Sequence, residues 1–513
     1  MRILHLGFGF LPLRYGGIII YAEDVMDAQV ARGHDVGYFF TGRRFPFLPA
    51  DRLRRWERRG IAMFELVNSS LGPGGDAGTL VPQDDVTHPP TEAHFTAAVE
   101  EFRPDVIHVQ ELVGVPTAVI EIAQMHGIPI VATLQDFFPL CPIIKLYDVD
   151  GQVCVRHDVG EQCARCCSWA PDSQQEMVHR TVEHEMRTRF GERWGNRALA
   201  AGMAGSRAVR RMLNRPLVEP TPARRDSAPP RERAPAARVY QARRDVNVQR
   251  LGMLDAIAFQ SQRAAEMYST LGVPQERMRV LQFALRHIEH ITPKTIEAPP
   301  ERVHFATLAG AASVPKGSEV VLGALEELER MGLGDRFTFT ALGFIHEDTR
   351  ERLERFSSAS WGGFYEPDRL DTVLMPFDVG IVPSVWEESY GYVGVEFLAK
   401  GIPVIGNERG GIVEYTRDGE TGWVNRDASG AGLAAIMAEI IRRPEQVQEL
   451  NARIRADRER TVKPFARHVE EIESLYREVL DRAGEREADL VRARACGRGT
   501  RGYPAADAAS RAV

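Results

Sequence analysis

Short apolar runs alternate with amphipathic stretches along this chain, and the alternation begins twice. In the first half, a periodic stretch over residues 18–31 is followed by Gly33, which predicts a helix with a C-terminal glycine stop. Strand, helix and strand in this order indicate a parallel sheet with right-handed crossovers. The runs that predict buried strands in this half are Ile3–Leu6, Asp35–Phe40, Asp105–Val109 and Pro129–Leu134.

The same pattern starts again near residue 302. A chain of 513 residues exceeds the roughly 250 to 300 residues at which a single hydrophobic core stops growing. Ligands of doubly wound sheets collect at the carboxyl ends of the strands, so we predict an α/β protein with two Rossmann-like domains facing each other across a cleft. The runs of the second half are Val303–Leu308, Phe337–Leu342, Val379–Pro383 and Ile402–Ile405.

Charge and hydropathy restrict the partners. The formal net charge of −7 and the isoelectric point near 6.1 favour neither nucleic acid nor an anionic membrane as a partner of the whole surface. The apolar start is too short for a signal peptide, and no run approaches the roughly 20 residues that cross a bilayer. We therefore predict a cytoplasmic protein, with peripheral contact at the inner membrane face left open.

A basic segment interrupts the first half. Residues Ser206–Arg250 carry twelve arginines against four acidic residues, with two adjacent prolines and few large apolar side chains. This composition predicts a disordered, solvated insertion. The alternative is a basic arm that attracts an acidic acceptor or phospholipid headgroups.

The densest pattern runs from Asp378 to Val424. A strand ends at Pro383, a glycine-bearing loop follows, and a helix begins near Tyr392. This order directs backbone N–H groups and the positive end of a helix at the loop, which suits a diphosphate. Glu388 in the loop and Glu396 in the helix suit sugar hydroxyls, which donate hydrogen bonds to carboxylates.

The segment resembles the signature of family 4 glycosyltransferases. The shared features are a proline-serine strand end, a glutamate, an aromatic-glycine pair, a second glutamate in the helix, a Gly-x-Pro turn, and Gly-Gly before a third glutamate. The resemblance implies the GT-B fold and retaining transfer from a nucleotide sugar. It also implies that Glu388 contacts donor-sugar hydroxyls, that Tyr390, Gly391 and Tyr392 present backbone amides to the sugar and diphosphate, and that Glu396 binds the ribose.

A lysine upstream matches the family, but its partner does not. In the family this loop carries an arginine five residues before the lysine, and the pair neutralises the diphosphate without a metal ion. Lys316 matches the lysine, whereas Ala311 stands where the arginine is expected. We predict donor binding by Lys316 without a catalytic metal, with Arg409 or another arginine as a possible replacement for the missing charge.

Two sites in the first half follow predicted strands. Gly16 and Gly17 allow close approach of the backbone, and the resemblance places them against the donor phosphate and the acceptor. Gln135 and Asp136 stand where relatives carry His-Asp near the donor sugar, and we include both with Glu388 as candidate catalytic residues. Glutamine does not exchange a proton near neutral pH. A front-face route, in which the departing phosphate takes the acceptor proton, is therefore favoured.

Five of the six cysteines fall between Cys141 and Cys167. Their spacing fits tetrahedral structural zinc, while free thiols and disulfides remain alternatives. Four thiolates would leave no open position for catalysis. The predicted zinc ligands are Cys141, Cys154, Cys163 and Cys166.

Together these features predict a retaining glycosyltransferase that moves a sugar from a nucleotide diphosphate donor to a glycan or lipid-linked acceptor in cell-surface polysaccharide or glycoconjugate synthesis. A nucleotide-sugar epimerase of the same fold and a GT-B pseudoenzyme are the alternatives. The predicted organisation is an acceptor-side domain over 1–290 with the cysteine loop 141–167, a nucleotide-sugar domain over 291–465, a helix over 466–482 that crosses back to the first domain, and a disordered tail over 483–513.

Overall fold

A computed structural model describes residues 1–45, 51–71, 78–168, 170, 174, 177–191 and 236–497. Its strands form two separate, mostly parallel sheets, with helices between most of the successive strands. The prediction of two Rossmann-like α/β domains in a GT-B architecture is therefore confirmed.

The first sheet has the strand order β3-β4-β2-β1-β5-β6-β7-β8. All neighbouring strands are parallel except the edge pair β3 and β4. The central strands are buried on both faces, which explains their continuous apolar sequences. The bounds are β1 Arg2–Gly7, β2 Asp35–Thr41, β3 Arg52–Arg58, β4 Ile61–Val67, β5 Val106–Val109, β6 Ile130–Leu134, β7 Ala256–Phe259 and β8 Met278–Val280.

The second sheet has the order β11-β10-β9-β12-β13-β14 and is parallel throughout. The strand order reverses between β9 and β12, which makes this point the switch where doubly wound sheets bind ligands. The bounds are β9 Val303–Leu308, β10 Phe337–Leu342, β11 Ala359–Gly363, β12 Val379–Val382, β13 Val404–Asn407 and β14 Gly422–Asn425.

Helices cover both sheets. Those of the first part are α1 Gly17–Ala31, α2 Pro89–Phe102, α3 Val119–Met125, α4 Gly160–Cys167, α5 over 177–191, α6 Ala237–Leu251, α7 Gln262–Thr270 and α8 Arg286–Glu289. Those of the second part are α9 Ser318–Arg330, α10 Glu347–Leu353, α11 Leu370–Val373, α12 Tyr392–Ala399, α13 Ile412–Tyr415, α14 Gly430–Arg442, α15 Glu445–Ala456, α16 Arg458–Thr461 and α17 Phe465–Gly497.

The prediction of a disordered basic insertion is wrong for its C-terminal part, because residues from Ala237 onward form α6. Three of its arginines are buried: Arg243 pairs with Asp85 at 2.6 Å, Arg244 donates to the carbonyl of Leu140, and Arg250 contacts Glu121. A prediction from composition treats arginine as solvated, because it contains no information on the buried partners that a side chain meets in the folded protein. Residues 206–235 lie outside the described part of the chain.

The crossing helix is also longer than predicted. Helix α17 continues past residue 482 to Gly497, so the first part of the predicted disordered tail is helical. Arg486 explains part of this extension, since it forms a 2.7 Å ion pair with Asp255 of the first domain. Residues 498–513 are outside the described ranges.

A buried polar network joins α17 to the first sheet. The Tyr476 hydroxyl lies 2.5 Å from Nδ1 of His108 and accepts a 3.1 Å hydrogen bond from Nε2 of Gln29. Gln29 in turn contacts His5 at 2.7 Å. Burial lowers the pKa of His5 to about 4 and that of His108 well below its ordinary value, so both rings are neutral near pH 7.

Among the helices of the described residues, none combines the length and the apolar composition that a membrane span requires.

We expect Tyr476→Phe to lower the free energy of unfolding by about 1 to 3 kcal/mol, because the buried partners His108 and Gln29 would lose the hydroxyl that they contact. Thermal and denaturant unfolding of the purified variant would measure the loss. Tyr15→Phe is the control, because Tyr15 is 67% exposed. Equal stability of the two variants would show that the network contributes nothing.

Candidate active site

The loop between β12 and α12 forms the centre of the site. It runs from Pro383 to Gly391, which is the N-cap of α12 in the left-handed region, with φ of 79°. The first turn of α12 therefore directs backbone N–H groups toward the loop. Gly391 also accepts a 2.9 Å hydrogen bond from the Tyr415 hydroxyl, which fixes the start of the helix.

Two neighbouring loops fix this loop through its backbone. Val385 N–H donates to the carbonyl of Pro315 at 2.9 Å, and Gly411 N–H donates to the carbonyl of Glu388 at 2.7 Å. Gly410 lies so close that a Cβ atom there would stand 2.0 Å from the Glu388 carbonyl oxygen. The predicted Gly-Gly pair therefore holds the loop by close packing of backbone on backbone.

The loop arrangement brings Lys316 to Glu388. Nζ of Lys316 is 2.5 Å from Oε1 of Glu388 and 5.2 Å from the centre of the Trp386 ring. The second carboxylate oxygen of Glu388 is buried and has no hydrogen-bond partner among the described residues. Two residues predicted to bind the donor thus form an ion pair, with one acceptor oxygen left for a ligand.

Residues of the first domain face the start of α12. A Cβ atom on Gly17 would lie 3.8 Å from the ring of Tyr392. Gln260 donates through Nε2 both to the Tyr392 hydroxyl at 3.0 Å and to Oε1 of Gln135 at 2.8 Å. The structure therefore brings together the predicted Gly17, Gln135 and Tyr392. Gly16 is the N-cap of α1, and among the described residues no atom beyond its chain neighbours stands within 4 Å of its Cβ position. Gln260 was not predicted, because its amide acquires this role only when the domains meet.

Further contacts join the domains at the same loop. The Ser389 hydroxyl donates to the Gln135 carbonyl, and the Ser261 hydroxyl donates to the Ser389 carbonyl at 2.5 Å. Arg263 at the start of α7 contacts Glu387 through two nitrogens, at 2.9 and 3.1 Å. The loop is thus bound to the first domain on both sides of Glu388.

Asp136 is buried beside another carboxyl group. Its Oδ1 accepts a 2.8 Å hydrogen bond from Phe138 N–H, and its side chain is hydrogen-bonded to Glu111. Burial raises the pKa of both carboxyls, and the proximity of Asp136 raises that of Glu111 further. These contacts give Asp136 a role in shaping the loop after β6, and its catalytic role stays a prediction.

The two remaining predicted residues of the diphosphate region differ in their surroundings. Ala311 is buried in the core of the second domain, so the position at which the family carries an arginine is apolar here. Arg409 donates through Nη1 to the carbonyl of Glu408 at 2.8 Å, next to the Gly410 turn. A replacement role for Arg409 stays a prediction.

Glu396 has a partner that sequence reasoning missed. Nε2 of His287, on the short helix α8, lies 2.7 Å from Oε1 of Glu396. The tyrosine predicted beside it, Tyr390, is buried and contacts Gln282 through its hydroxyl. His287 belongs to no motif of the sequence, and the contact depends on how the connecting segment folds against α12.

Unpartnered polar atoms mark the cleft as a ligand site. Buried side-chain atoms are almost always hydrogen-bonded in proteins, so exceptions call for an explanation. Several such atoms, counted among the described residues, belong to the two glutamates and to residues near them: Nε2 of Gln135, Nδ1 of His287, Nε1 of Trp386, Oε2 of Glu388 and Oε2 of Glu396. A ligand with hydroxyl and phosphate groups would supply partners for both the donors and the acceptors.

Most of the cysteines pack in the same hydrophobic core as Trp386 of this loop. Cys141, Cys154, Cys163 and Cys166 line one cavity together with Arg244 of α6. All are free thiols, and burial raises the pKa of Cys141. No group of three His, Cys, Asp or Glu side chains within the described residues is arranged to hold a metal ion. Structural zinc therefore stays a prediction, which metal analysis of the purified protein would decide.

Two family models match the chain. The model described as Glycosyl transferase 4-like domain matches residues 16–225, and that described as Glycosyl transferases group 1 matches residues 297–457. Among curated relatives, WcaL of Salmonella typhimurium, assigned as a glycosyltransferase of colanic acid biosynthesis, is 24% identical over 34% of this chain and 44% of its own length. Glycogen synthase of Mycobacterium tuberculosis is 28% identical over 30% of this chain and 37% of its own length. The chain thus spans less than half of these relatives.

Solved structures share the architecture. Sucrose-phosphate synthase from Thermosynechococcus elongatus superimposes with a TM-score of 0.57 at 15% identity, covering 93% of this chain and 99% of that one. Anabaena Alr3699/HepE, solved in complex with UDP and glucose, gives 0.54 at 14% identity, covering 92% and 98%. At these identities the likeness supports the fold.

We expect Gly410→Ala to destabilise the protein more than Gly419→Ala does. Both glycines have positive φ, 52° and 72°, so both substitutions carry the left-handed backbone cost of about 1 to 2 kcal/mol. Only at Gly410 would the methyl group also meet the Glu388 backbone, since Gly419 has no atom within 4 Å of its Cβ position. Melting temperatures of the two variants would make the comparison, and equal losses would contradict the close-packing explanation.

Proposed function

Since the chain belongs to the family 4-like glycosyltransferases with the GT-B fold, we propose that it is a retaining enzyme that transfers a sugar from a nucleotide diphosphate donor to a hydroxyl of a glycan or lipid-linked acceptor. The observation that carries the proposal is the buried Glu388 carboxylate, which has one oxygen paired with Lys316 and the other unpartnered within the described chain, next to the start of α12.

The diphosphate, the sugar and the ribose of a nucleotide sugar each have a suitable binding group in the cleft. Lys316 and the N-terminal turn of α12 favour the diphosphate by charge and by N–H donation. The free oxygen of Glu388 would accept from a sugar hydroxyl, and that of Glu396 would accept from a ribose hydroxyl. On binding, Lys316 would exchange its contact with Glu388 for the diphosphate, which leaves the carboxylate to the sugar.

The proposed reaction follows a front-face route. The bond between the anomeric carbon and the phosphate oxygen breaks, and a bond from the acceptor oxygen forms on the same face. The acceptor proton passes to the departing phosphate oxygen, so no protein base is required. Gln135, which is neutral at all ordinary pH values, is compatible with this route and would orient a hydroxyl through its unpartnered Nε2.

The class of acceptor and contact of the protein with a membrane are further parts of the proposal. Two relatives named for colanic acid and glycogen synthesis favour a polysaccharide or glycoconjugate product. Peripheral membrane contact through the basic segment stays a prediction, because residues 206–235 are outside the described structure. A nucleotide-sugar epimerase or an inactive binding protein would each fail a donor-dependent transfer assay, and the inactive protein would still bind nucleotide.

We expect Glu388→Ala to lower turnover by about 100-fold or more, because it removes a carboxylate from the sugar site. Nucleoside diphosphate affinity should be unchanged or slightly higher, since Lys316 loses a competing partner. Steady-state kinetics and calorimetric titration would measure the two quantities. Glu408→Ala, in a neighbouring loop on an exposed residue, is the control. A variant with normal turnover would exclude Glu388 from the reaction.

We also expect activity to survive exhaustive removal of divalent cations, because Lys316 and the helix N-terminus supply positive charge at the diphosphate. Assays in excess chelator, with and without added magnesium or manganese, would test this. Lys316→Ala should weaken donor binding and should be the variant that gains from added metal. Activity of the wild-type protein that depends on added metal would contradict this model.

A further inference from the structure

The contact between His287 and Glu396 has no counterpart in the sequence motifs of the site. The two side chains are about nine-tenths buried, with 10% and 9% exposure, and their polar atoms are 2.7 Å apart. His287 lies in the segment that connects the two sheets, between β8 and β9. Glu396 lies on the second turn of α12, so the contact joins the connection to the donor-binding helix.

We propose that His287 is a positioning residue for the donor: it holds one oxygen of Glu396 and thereby presents the other oxygen to a ribose hydroxyl of the nucleotide. This inference rests on the proposed function, because it requires a nucleotide in the cleft. It assigns a role to a residue outside the family signature.

The geometry supports positioning. A carboxylate with no fixed partner can rotate, whereas the bond from Nε2 to Oε1 orients the Glu396 plane. Oε2 then remains buried without a partner in the described residues, a state that is unfavourable until a donor hydroxyl satisfies it. A ribose, with two adjacent hydroxyls, supplies that donor.

The position of His287 is itself fixed by the first domain. The neighbouring Arg286 is held by two hydrogen bonds to Asp24 of α1. Its backbone N–H donates to the Asp24 carboxylate at 3.1 Å, and its guanidinium donates to the Asp24 carbonyl at 3.0 Å. Leu285 and Ile288 on either side are buried in the core that both domains share. The orientation of Glu396 is therefore tied to the arrangement of the two domains.

Charge makes the contact sensitive to pH. The charged groups that face His287 are Glu396 from α12, Asp24 from α1 and Asp368 from the turn before α11. Burial lowers the pKa of His287, but the hydrogen bond and charge of Glu396, with the charges of the two aspartates, raise it above its ordinary value of 6.5. A pKa raised on folding contributes stability that is fully present below the unfolded value and is lost as pH rises through the folded value.

The same titration should act on the ligand. Below the raised pKa, the imidazolium balances the charge of Glu396 when an anionic diphosphate enters. Above it, neutral imidazole still donates through Nε2, but the carboxylate charge is uncompensated. Donor affinity should therefore fall as pH rises through the pKa of His287.

The test compares calorimetric titrations of UDP-glucose, GDP-glucose and ADP-glucose between about pH 6 and pH 8, since histidine titrates in this range. These diphosphate diesters do not titrate there, so the ligand adds no pH dependence. With the sugar nucleotide that the wild-type protein binds, we expect His287→Gln to bind about tenfold more weakly at the low end of the range and to show no pH dependence. Its KM should rise while kcat changes little. His290→Gln, at an exposed position on the same turn, should behave as wild type.

A second variant separates positioning from folding. Glu396→Gln should also lose affinity and pH dependence, and the double variant should be no weaker than Glu396→Gln alone, because both changes remove one interaction. If His287→Gln does not fold, the wild-type and Glu396→Gln pH profiles decide the matter. A wild-type profile that persists in either variant would overturn the role of His287. Absence of binding by the wild-type protein to every sugar nucleotide would overturn the proposed function and this role with it.

Discussion

The backbone of the loop between β12 and α12 is held by hydrogen bonds from two neighbouring loops, and the site depends on this constraint. Gly411 N–H donates to the carbonyl of Glu388, and Val385 N–H donates to the carbonyl of Pro315, so this loop is hydrogen-bonded to the loop that carries Lys316 as well as to the Gly410-Gly411 turn. Because the backbone leaves no room for a methyl group at Gly410, main-chain packing fixes the position of the Glu388 backbone.

The two domains are joined by both apolar and polar contacts. One core contains side chains from both sheets, from the connection around Phe283–Ile291 and from α17. Apolar burial of this kind stabilises the contact between the domains strongly, but it is non-directional and does not select one angle between them. The polar contacts of Ser389, Gln135 and Gln260, and the network around Tyr476, supply direction, because a misplaced domain would leave buried polar atoms unsatisfied.

Charged groups of the cleft are paired with each other. Lys316 pairs with Glu388, and His287 pairs with Glu396. Each pairing lowers the cost of burying a carboxylate, and each leaves one oxygen for a hydroxyl donor. A bound nucleotide sugar would exchange one set of partners for another.

The sequence by itself determined the α/β class, the two domains and the loop between β12 and α12, because hydrophobic period and glycine placement are local properties of a chain. It also predicted that Gly16-Gly17, Gln135, Lys316 and the two glutamates would meet at carboxyl ends of strands. Only the tertiary structure determined that the arginines of α6 are buried, how long α17 is, and which contacts Gln260 and His287 make. Each of these depends on a partner more than 100 residues away in the sequence, as Arg243 with Asp85 and His287 with Glu396 illustrate. A side chain's burial, charge state and orientation are set by such distant partners, and only the folded chain brings them into contact.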